Sequence, residues 1–248
     1  MSRPRLSEAL DRGLAKKLTL LSAPAGSGKS VLLAAWASPR DDCAWLSLGE
    51  SESAPARFLL YFISALQRLF PRFGQNLLSA LSAGPPSPRE AVMTELVNGI
   101  AAVERQCVLI LDDYHLVDSR EVDALLDFLV ANMPPTMHLV ISTREDPALA
   151  LGALRLKSCV SEIRADDLHF RVQETREFFA NEGLASLSDD ELAALGRRSE
   201  GWIAGLKLAS ISLKKSADSS GFIASFTGTN RYVMDFLVEE VLARQSAE

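Results

Sequence analysis

The segment Ala23-Pro24-Ala25-Gly26-Ser27-Gly28-Lys29-Ser30 carries the clearest chemistry in the chain. Small residues let consecutive backbone N–H groups turn to one side, and Gly26 and Gly28 permit backbone angles that a Cβ penalises. A helix opening at the end of the segment and running through Val31-Leu32-Leu33 to Trp36 adds the positive end of its dipole. Such a turn is a cradle for phosphate. Lys29 supplies a mobile positive charge for the β- and γ-phosphates of a nucleotide, and Ser30 offers a hydroxyl to Mg2+. A unit charge pair 4 Å apart is worth about 4 kcal/mol at an effective dielectric of 20, before desolvation is subtracted. The pattern departs from its usual form once, with Ala23 in place of the first glycine, at a position that faces the strand end rather than the phosphates. The competing reading is a Gly-Ser turn that happens to precede a lysine. The order strand, loop, helix favours the phosphate cradle.

Two further groups complete the charge pattern. Val108-Leu109-Ile110-Leu111 runs directly into Asp112-Asp113, and an acid at the carboxyl end of a buried parallel strand is where Mg2+ beside a triphosphate is held. Asp112 is assigned to the metal, through water. Asp113 either polarises an attacking water or only supports its neighbour. For capping the helix that follows, Asp118 or Ser119 is better placed than Asp112. The run 139–142 ends in Thr143-Arg144, where Arg144 reports on the γ-phosphate or makes a surface ion pair with Glu145 or Asp146. His115, His138 and His169 lack metal-ligand spacing and read as packing or hydrogen-bonding groups. Trp36, Trp45 and Trp202 read as core.

These groups need a scaffold, and the hydrophobic pattern supplies one. Short apolar runs at 18–23, 43–48, 108–111 and 139–142, with a weaker one at 159–163, read as strands. The run 108–111 is continuously apolar, the pattern of a strand covered on both faces. Helical spacing fills 54–70, 89–104 and 120–131, so the chain is built of βαβ units forming a doubly wound parallel α/β sheet. After about residue 165 the strand signal fades, and 172–181, 187–197, 201–215 and 230–245 read as helices. The residues 216–230 are rich in Ser, Gly and Thr and read as a loop. The expected organisation is a nucleotide-binding α/β domain over 1–165, a smaller all-α domain over 166–229 and a further element beginning at 230–248. The stripe Val233, Phe236, Leu237 and Val241 must be buried against something: either the helix folds back on the preceding helices, or it packs on a further element and the chain is a fragment, which is the expectation preferred here.

The composition narrows the classes. Of 248 residues, 48% are apolar and 23% charged, which excludes disorder and a disulfide-stapled mini-protein. With 26 Lys and Arg against 32 Asp and Glu, the net charge is −6, a poor match for a nucleic-acid backbone. Cys43, Cys107 and Cys159 share no metal-ligand spacing and read as buried thiols in a reducing compartment. No apolar run approaches the ~18 residues of a membrane span. The basic N-terminus is interrupted by Glu8 and Asp11, so it is not read as a secretion signal. The cytoplasm is the expected location.

Beyond these readings, the chain resembles a known family. Arg3-Pro4-Arg5-Leu6, the phosphate loop, Leu111-Asp112-Asp113-Tyr114-His115, Ser142-Thr143-Arg144, Gly201-Trp202-Ile203-Ala204-Gly205-Leu206-Lys207-Leu208-Ala209 and Asp235-Phe236-Leu237-Val238-Glu239-Glu240-Val241-Leu242 occur in family order. Together they resemble the nucleotide-binding portion of the MalT-like, ATP-dependent regulators of the LuxR group, within the STAND class of signalling ATPases. The resemblance runs from Arg3 to about Gln245. It implies a P-loop NTPase fold, ATP or ADP with Mg2+, and Arg5 and Leu6 on the adenine side. Lys207 stands where other relatives place a proline against the nucleotide. The last helix resembles the opening of a winged-helix domain, and DNA contact is implied only through a C-terminal domain absent from this chain.

The function so implied is an ATP-driven switch, in which ATP favours self-association, ADP the resting arrangement, and hydrolysis is slow. Nucleotide biases two states only through differential contacts, here at Lys29, Asp112 and Arg144. The alternatives are a P-loop kinase, a motor ATPase and a scaffold that binds without hydrolysing. No clustered arginine lid and no Leu-Ser-Gly-Gly-Gln signature is present to favour the first two, and the lack of an Asn-Lys-x-Asp motif favours ATP over GTP.

Overall fold

A computed structural model describes residues 3–83, 89–215, 221–223 and 226. The helix expected at 230–245 and most of the loop at 216–230 lie outside the described residues. The chain runs α1 (Pro4–Gly13), β1 (Leu18–Ser22), α2 (Lys29–Ala37), β2 (Cys43–Ser47), α3 (Pro55–Gln67), α4 (Gln75–Ala83), α5 (Arg89–Ala101) and β3 (Cys107–Asp112). It continues through α6 (Arg120–Asn132), β4 (Met137–Thr143), α7 (Leu151–Leu156), β5 (Val160–Arg164), α8 (Ala165–Leu168), α9 (Val172–Asn181), α10 (Asp189–Arg198) and α11 (Ile203–Leu213). Among the described residues, no helix is long and apolar enough to cross a membrane.

Two compact units emerge. The larger holds Pro4–Ala23 and Ser30–Arg164; the smaller takes Arg3, Pro24–Lys29 and the described residues from Ala165 onward. In the larger unit, all five strands are parallel, in the order β2-β3-β4-β1-β5. Residues of β1, β3 and β4 are buried throughout, while β2 and β5 at the edges alternate with half-buried positions. The unbroken apolar runs of the sequence are therefore the three central strands, as a sheet covered on both faces requires. The chain leaving β1 crosses towards β2, whereas the chain leaving β4 crosses towards β5. Because β1 and β4 are neighbours, their carboxyl ends form a switch point of the sheet, where α/β folds bind ligands. Phe58, Phe62, Leu66, Met93, Leu96, Leu125 and Leu129 from α3, α5 and α6 build the core against one face.

The helix α1 has no counterpart in the hydrophobic reading. Pro4 opens it, where a missing N–H is harmless, and Leu6, Leu10 and Gly13 are buried along one face. Short α7 and α8 and the helix α4 were equally invisible, since each offers too few turns to show a period. The smaller unit has its own core of Phe179, Leu192, Leu195, Leu206, Ala209 and Leu213, joined by Ile223 and Phe226.

The cysteines differ from expectation. Only Cys107 is buried, whereas Cys43 and Cys159 are half-buried because they fall at an edge strand and just before one. Burial pushes the Cys43 and Cys107 thiols up to about 11, so both remain protonated near neutrality.

Candidate functional site

The phosphate loop is best understood through its carbonyl groups. The Pro24 carbonyl accepts from the Ser27 hydroxyl at 2.8 Å and from Lys29 Nζ at 3.2 Å. The Ala25 carbonyl accepts from the indole N–H of Trp202 at 3.3 Å, and the Gly26 carbonyl from the backbone N–H of Ala204 at 3.2 Å. In a trans peptide the N–H lies opposite the carbonyl of the preceding residue. Holding the carbonyls of residues 24, 25 and 26 therefore directs the N–H groups of Ala25, Gly26 and Ser27 away from those contacts. Gly26 and Gly28 adopt φ of 71° and 82°, a region that a Cβ penalises. A Cβ on Gly28 would also lie 3.2 Å from Ile203 Cγ2. Ser27 and Lys29 are buried, and Ser30, which belongs to the larger unit, is exposed. The loop has the backbone geometry and the buried cation that a phosphate chain requires.

The other sequence-predicted residues belong to the larger unit. Asp112 ends β3, 4% exposed, and its Oδ1 has no hydrogen-bond partner among the described groups. It does not cap α6, because the Ser119 hydroxyl accepts from Val122 N at 3.4 Å and takes that part. Asp113 follows at φ 58°, with Oδ1 3.9 Å from His115 Nδ1. Arg144 is half-buried directly beyond β4, whose last residue Thr143 pairs with Ser22 of β1. Its sequence neighbour Asp146 is ion-paired with Arg164 and, at 3.3 Å, with Arg155. Those arginines, Arg164 foremost, hold the Asp146 carboxyl below the usual carboxylate range. Arg5 is half-buried on α1, and Leu6 on the inner face of the same helix is 2% exposed.

A buried carboxylate oxygen without a protein partner, at the carboxyl end of a parallel strand, fits a hard divalent cation. Among the described residues no three His, Cys, Asp or Glu converge as a metal cage. Mg2+ does not need one, since it is ordinarily held by one or two protein oxygens together with phosphates and water.

Three features escaped the sequence reading. Trp202 packs against the core of the smaller unit, as expected, and its N–H also serves the loop carbonyl; the only signal of that second part is its place in the Gly-Trp-x-x-Gly-Leu segment. Arg3 is buried in a bidentate ion pair with Glu174. Lys207, which stands where relatives place a proline against the nucleotide, donates to Glu182 Oε1 at 2.7 Å. His138 behaves as read, bonded to Thr19 Oγ1 and the Lys16 carbonyl.

The chain is similar to known proteins along its whole length. The chain is 30% identical over 260 residues to the HTH-type transcriptional regulator MalT of Serratia proteamaculans, covering 100% of this chain and 29% of that protein. It is 28% identical over 246 residues to the serine/threonine-protein kinase PknK of Mycobacterium tuberculosis, covering 98% of this chain and 22% of that protein. The chain thus spans less than a third of the length of the curated relatives it matches. Among solved structures, a Signal Transduction ATPase with Numerous Domains (STAND) protein with a tetratricopeptide repeat sensor from Pyrococcus horikoshii superposes with a TM-score of 0.62 at 16% identity, over 96% of this chain and 32% of that one. That likeness establishes a P-loop NTPase fold. A family model described as AAA ATPase domain matches residues 4–142, more than half of the sequence, and the chain belongs to that family.

Proposed function

We propose that these residues form the ATP-binding and slowly hydrolysing switch module of a transcriptional regulator, with ATP favouring self-association and ADP the resting arrangement. The observation that carries the reading is the phosphate loop, whose carbonyls at Pro24, Ala25 and Gly26 are all engaged, which leaves the amides of residues 25–27 turned away from those contacts. In this reading Ala25, Gly26, Ser27, Gly28, Lys29 and Ser30 hold the phosphates, with Arg5 and Leu6 on the adenine side. Ser30 and Asp112 hold Mg2+, which when bound neutralises the charge of the phosphoryl oxygens. Asp113 positions the attacking water, and Arg144 reports whether the γ-phosphate is present. The domains divide as 1–165, 166–229 and 230–248, the last opening a winged helix. Likeness to an HTH-type transcriptional regulator supports the regulatory setting, with DNA contact assigned to a domain other than these residues and the cytoplasm as the location.

Calorimetric titration with Mg-ATP and Mg-ADP, beside Lys29→Ala, tests the proposal. Both nucleotides should bind, Lys29→Ala should lose binding by at least 100-fold, and light scattering should report a larger mass with ATP than with ADP. No binding at millimolar concentration overturns the nucleotide reading. Binding without phosphate release supports a non-hydrolysing scaffold instead, and phosphate transfer to an acceptor supports a kinase. Equal masses with the two nucleotides overturn the switch.

A further inference from the structure

Asp112 and Ser142 are cross-strand neighbours. In the parallel pair β3 and β4, Leu111 stands opposite Ile141, so the next residues, Asp112 and Ser142, stand level at the carboxyl edge. Side chains level with each other on in-register parallel strands share one face of the sheet, with backbones about 4.8 Å apart. Both residues are buried, Ser142 at 0% exposure. They also share an anomaly: Asp112 Oδ1 and Ser142 Oγ are each buried without a hydrogen-bond partner among the described residues. On its other side Ser142 stands opposite Leu21 of β1, which offers no polar atom. On the far side of Asp112 stands Ser47 of β2, whose hydroxyl accepts from the Trp45 indole at 2.9 Å. A serine carries one donor and two acceptor positions and ordinarily satisfies them nearby. An alanine would fill the same strand position with no polar atom to satisfy, so a hydroxyl kept there beside an unpaired carboxylate oxygen serves a third group.

We infer that Ser142 is a positioning residue for the metal-bound water at Asp112, its hydroxyl hydrogen-bonding a water molecule of the Mg2+ shell that the carboxylate also holds. The inference rests on the nucleotide reading above. Mg2+ gives up its water reluctantly and keeps several water molecules when bound, so a protein also reaches it through hydrogen bonds to that water. Outer partners of this kind change metal affinity by roughly 10- to 100-fold when removed. Ser142 is distinct from Arg144, which stands two residues further on and is assigned to the phosphate rather than to the ion.

The experiment compares Ser142→Ala with the unaltered 248-residue chain in three measurements: ATP affinity across a Mg2+ titration, ATP affinity in EDTA, and the Tm without nucleotide. The expected result is an apparent Mg2+ requirement raised roughly 10- to 100-fold, an unchanged affinity in EDTA and an unchanged or higher Tm. An unchanged Mg2+ requirement overturns the inference. So does an equal loss in EDTA, which would make the effect structural, or a fall in Tm, which would show the hydroxyl bonded within the protein. Failure of the unaltered chain to bind Mg-ATP is a different outcome: it removes the nucleotide reading itself, and the assignment of Ser142 with it.

Discussion

The indole N–H of Trp202 meets the carbonyl oxygen of Ala25 at 3.3 Å, across 177 positions of sequence. Beside it the N–H of Ala204 meets the Gly26 carbonyl at 3.2 Å. Trp202 is the N-cap of α11 and Ala204 its second residue. The first four N–H groups of a helix have no partner within it, and the Ala204 N–H is one of them; the Trp202 indole adds a side-chain donor beside it. The Ala25 and Gly26 carbonyls accept from these two donors. In physical terms, the start of α11 fixes the direction of two peptide planes that a phosphate-binding loop must hold.

If that hydrogen bond orients the loop, its loss should weaken nucleotide binding without unfolding the protein. Trp202→Phe keeps an aromatic ring while removing the donor and the rest of the second ring. One net hydrogen bond is worth about 0.5–1.5 kcal/mol, so the Kd for ATP should rise roughly 2- to 10-fold. Trp202→Ala should cost more, because the ring also packs beside Gly205, whose added Cβ would fall 3.0 Å from it. Titration calorimetry on both variants measures this; equal affinity for the Phe variant and the parent protein would remove the orienting role.

A pair of glycines separates loop geometry from simple backbone strain. Gly28 and Gly183 have φ of 82° and 80°, and a left-handed L-residue costs roughly 1–2 kcal/mol at either place. They differ in surroundings: a Cβ on Gly183 meets nothing within 4 Å, whereas one on Gly28 lies 3.2 Å from Ile203 Cγ2. Gly183→Ala should lower stability by about 1 kcal/mol and leave ATP affinity alone. Gly28→Ala should lower stability by at least as much and weaken ATP binding tenfold or more. Urea unfolding and nucleotide titration on the two variants decide it, and matched nucleotide affinities would count against the loop.

Much of this fold can be read from residues close in sequence. The run Val108–Leu111 announces a covered strand because every neighbour on the sheet is apolar, and Gly26 and Gly28 announce a turn because their spacing permits little else. The strand order follows from neither. Nor does the burial of Arg3 against Glu174, since a charge near the chain start looks solvated until its partner is known. Trp202 packs against the core of the smaller unit, as its apolar surface suggests, but its single N–H shows its purpose only when the acceptor 177 positions away is placed. Ser142 is a third case. A serine at a strand end is unremarkable in a sequence and becomes informative only when its hydroxyl is found buried without a partner.

The buried ion pair sets up a test of stability in the smaller unit. Arg3 Nε and Nη2 donate to Glu174 Oε1 and Oε2, each at 3.1 Å, and Nη2 also donates to the His169 carbonyl at 3.0 Å. The guanidinium lies 4.2 Å above the Phe170 ring, and Glu174 Oε2 accepts from Arg171 N at 2.9 Å. Removing one partner leaves the other charged and buried, so Arg3→Ala or Glu174→Ala should each cost about 3–5 kcal/mol. Replacing both together, Arg3→Met with Glu174→Leu, should restore most of that loss, because the burden is the unpaired charge. Denaturant unfolding of the three variants gives the answer. Additive losses in the double variant would show that the two side chains act separately.

The last expectation concerns acid. His138 is 4% exposed in β4, with Nδ1 2.8 Å from the Lys16 carbonyl and Nε2 3.0 Å from Thr19 Oγ1. A carbonyl only accepts, so Nδ1 carries the proton and Nε2 accepts from the threonine hydroxyl. The neutral ring is thus fully bonded. Burial holds its pKa below the ordinary value, opposed by the Lys16 carbonyl. In the unfolded chain a histidine takes up a proton near pH 6.5; the native ring resists it. Between those two values the unfolded state binds more protons, so stability is complete above pH 6.5 and declines as the pH falls, by at most about 1.4 kcal/mol per pH unit. His138→Gln lacks the titrating ring. It should be less stable than the parent at pH 7.5, yet lose less between pH 6.5 and 5, which urea midpoints at pH 7.5, 6.5, 5.8 and 5 would record. A parent and variant with parallel profiles over that range would place the acid sensitivity elsewhere in the molecule.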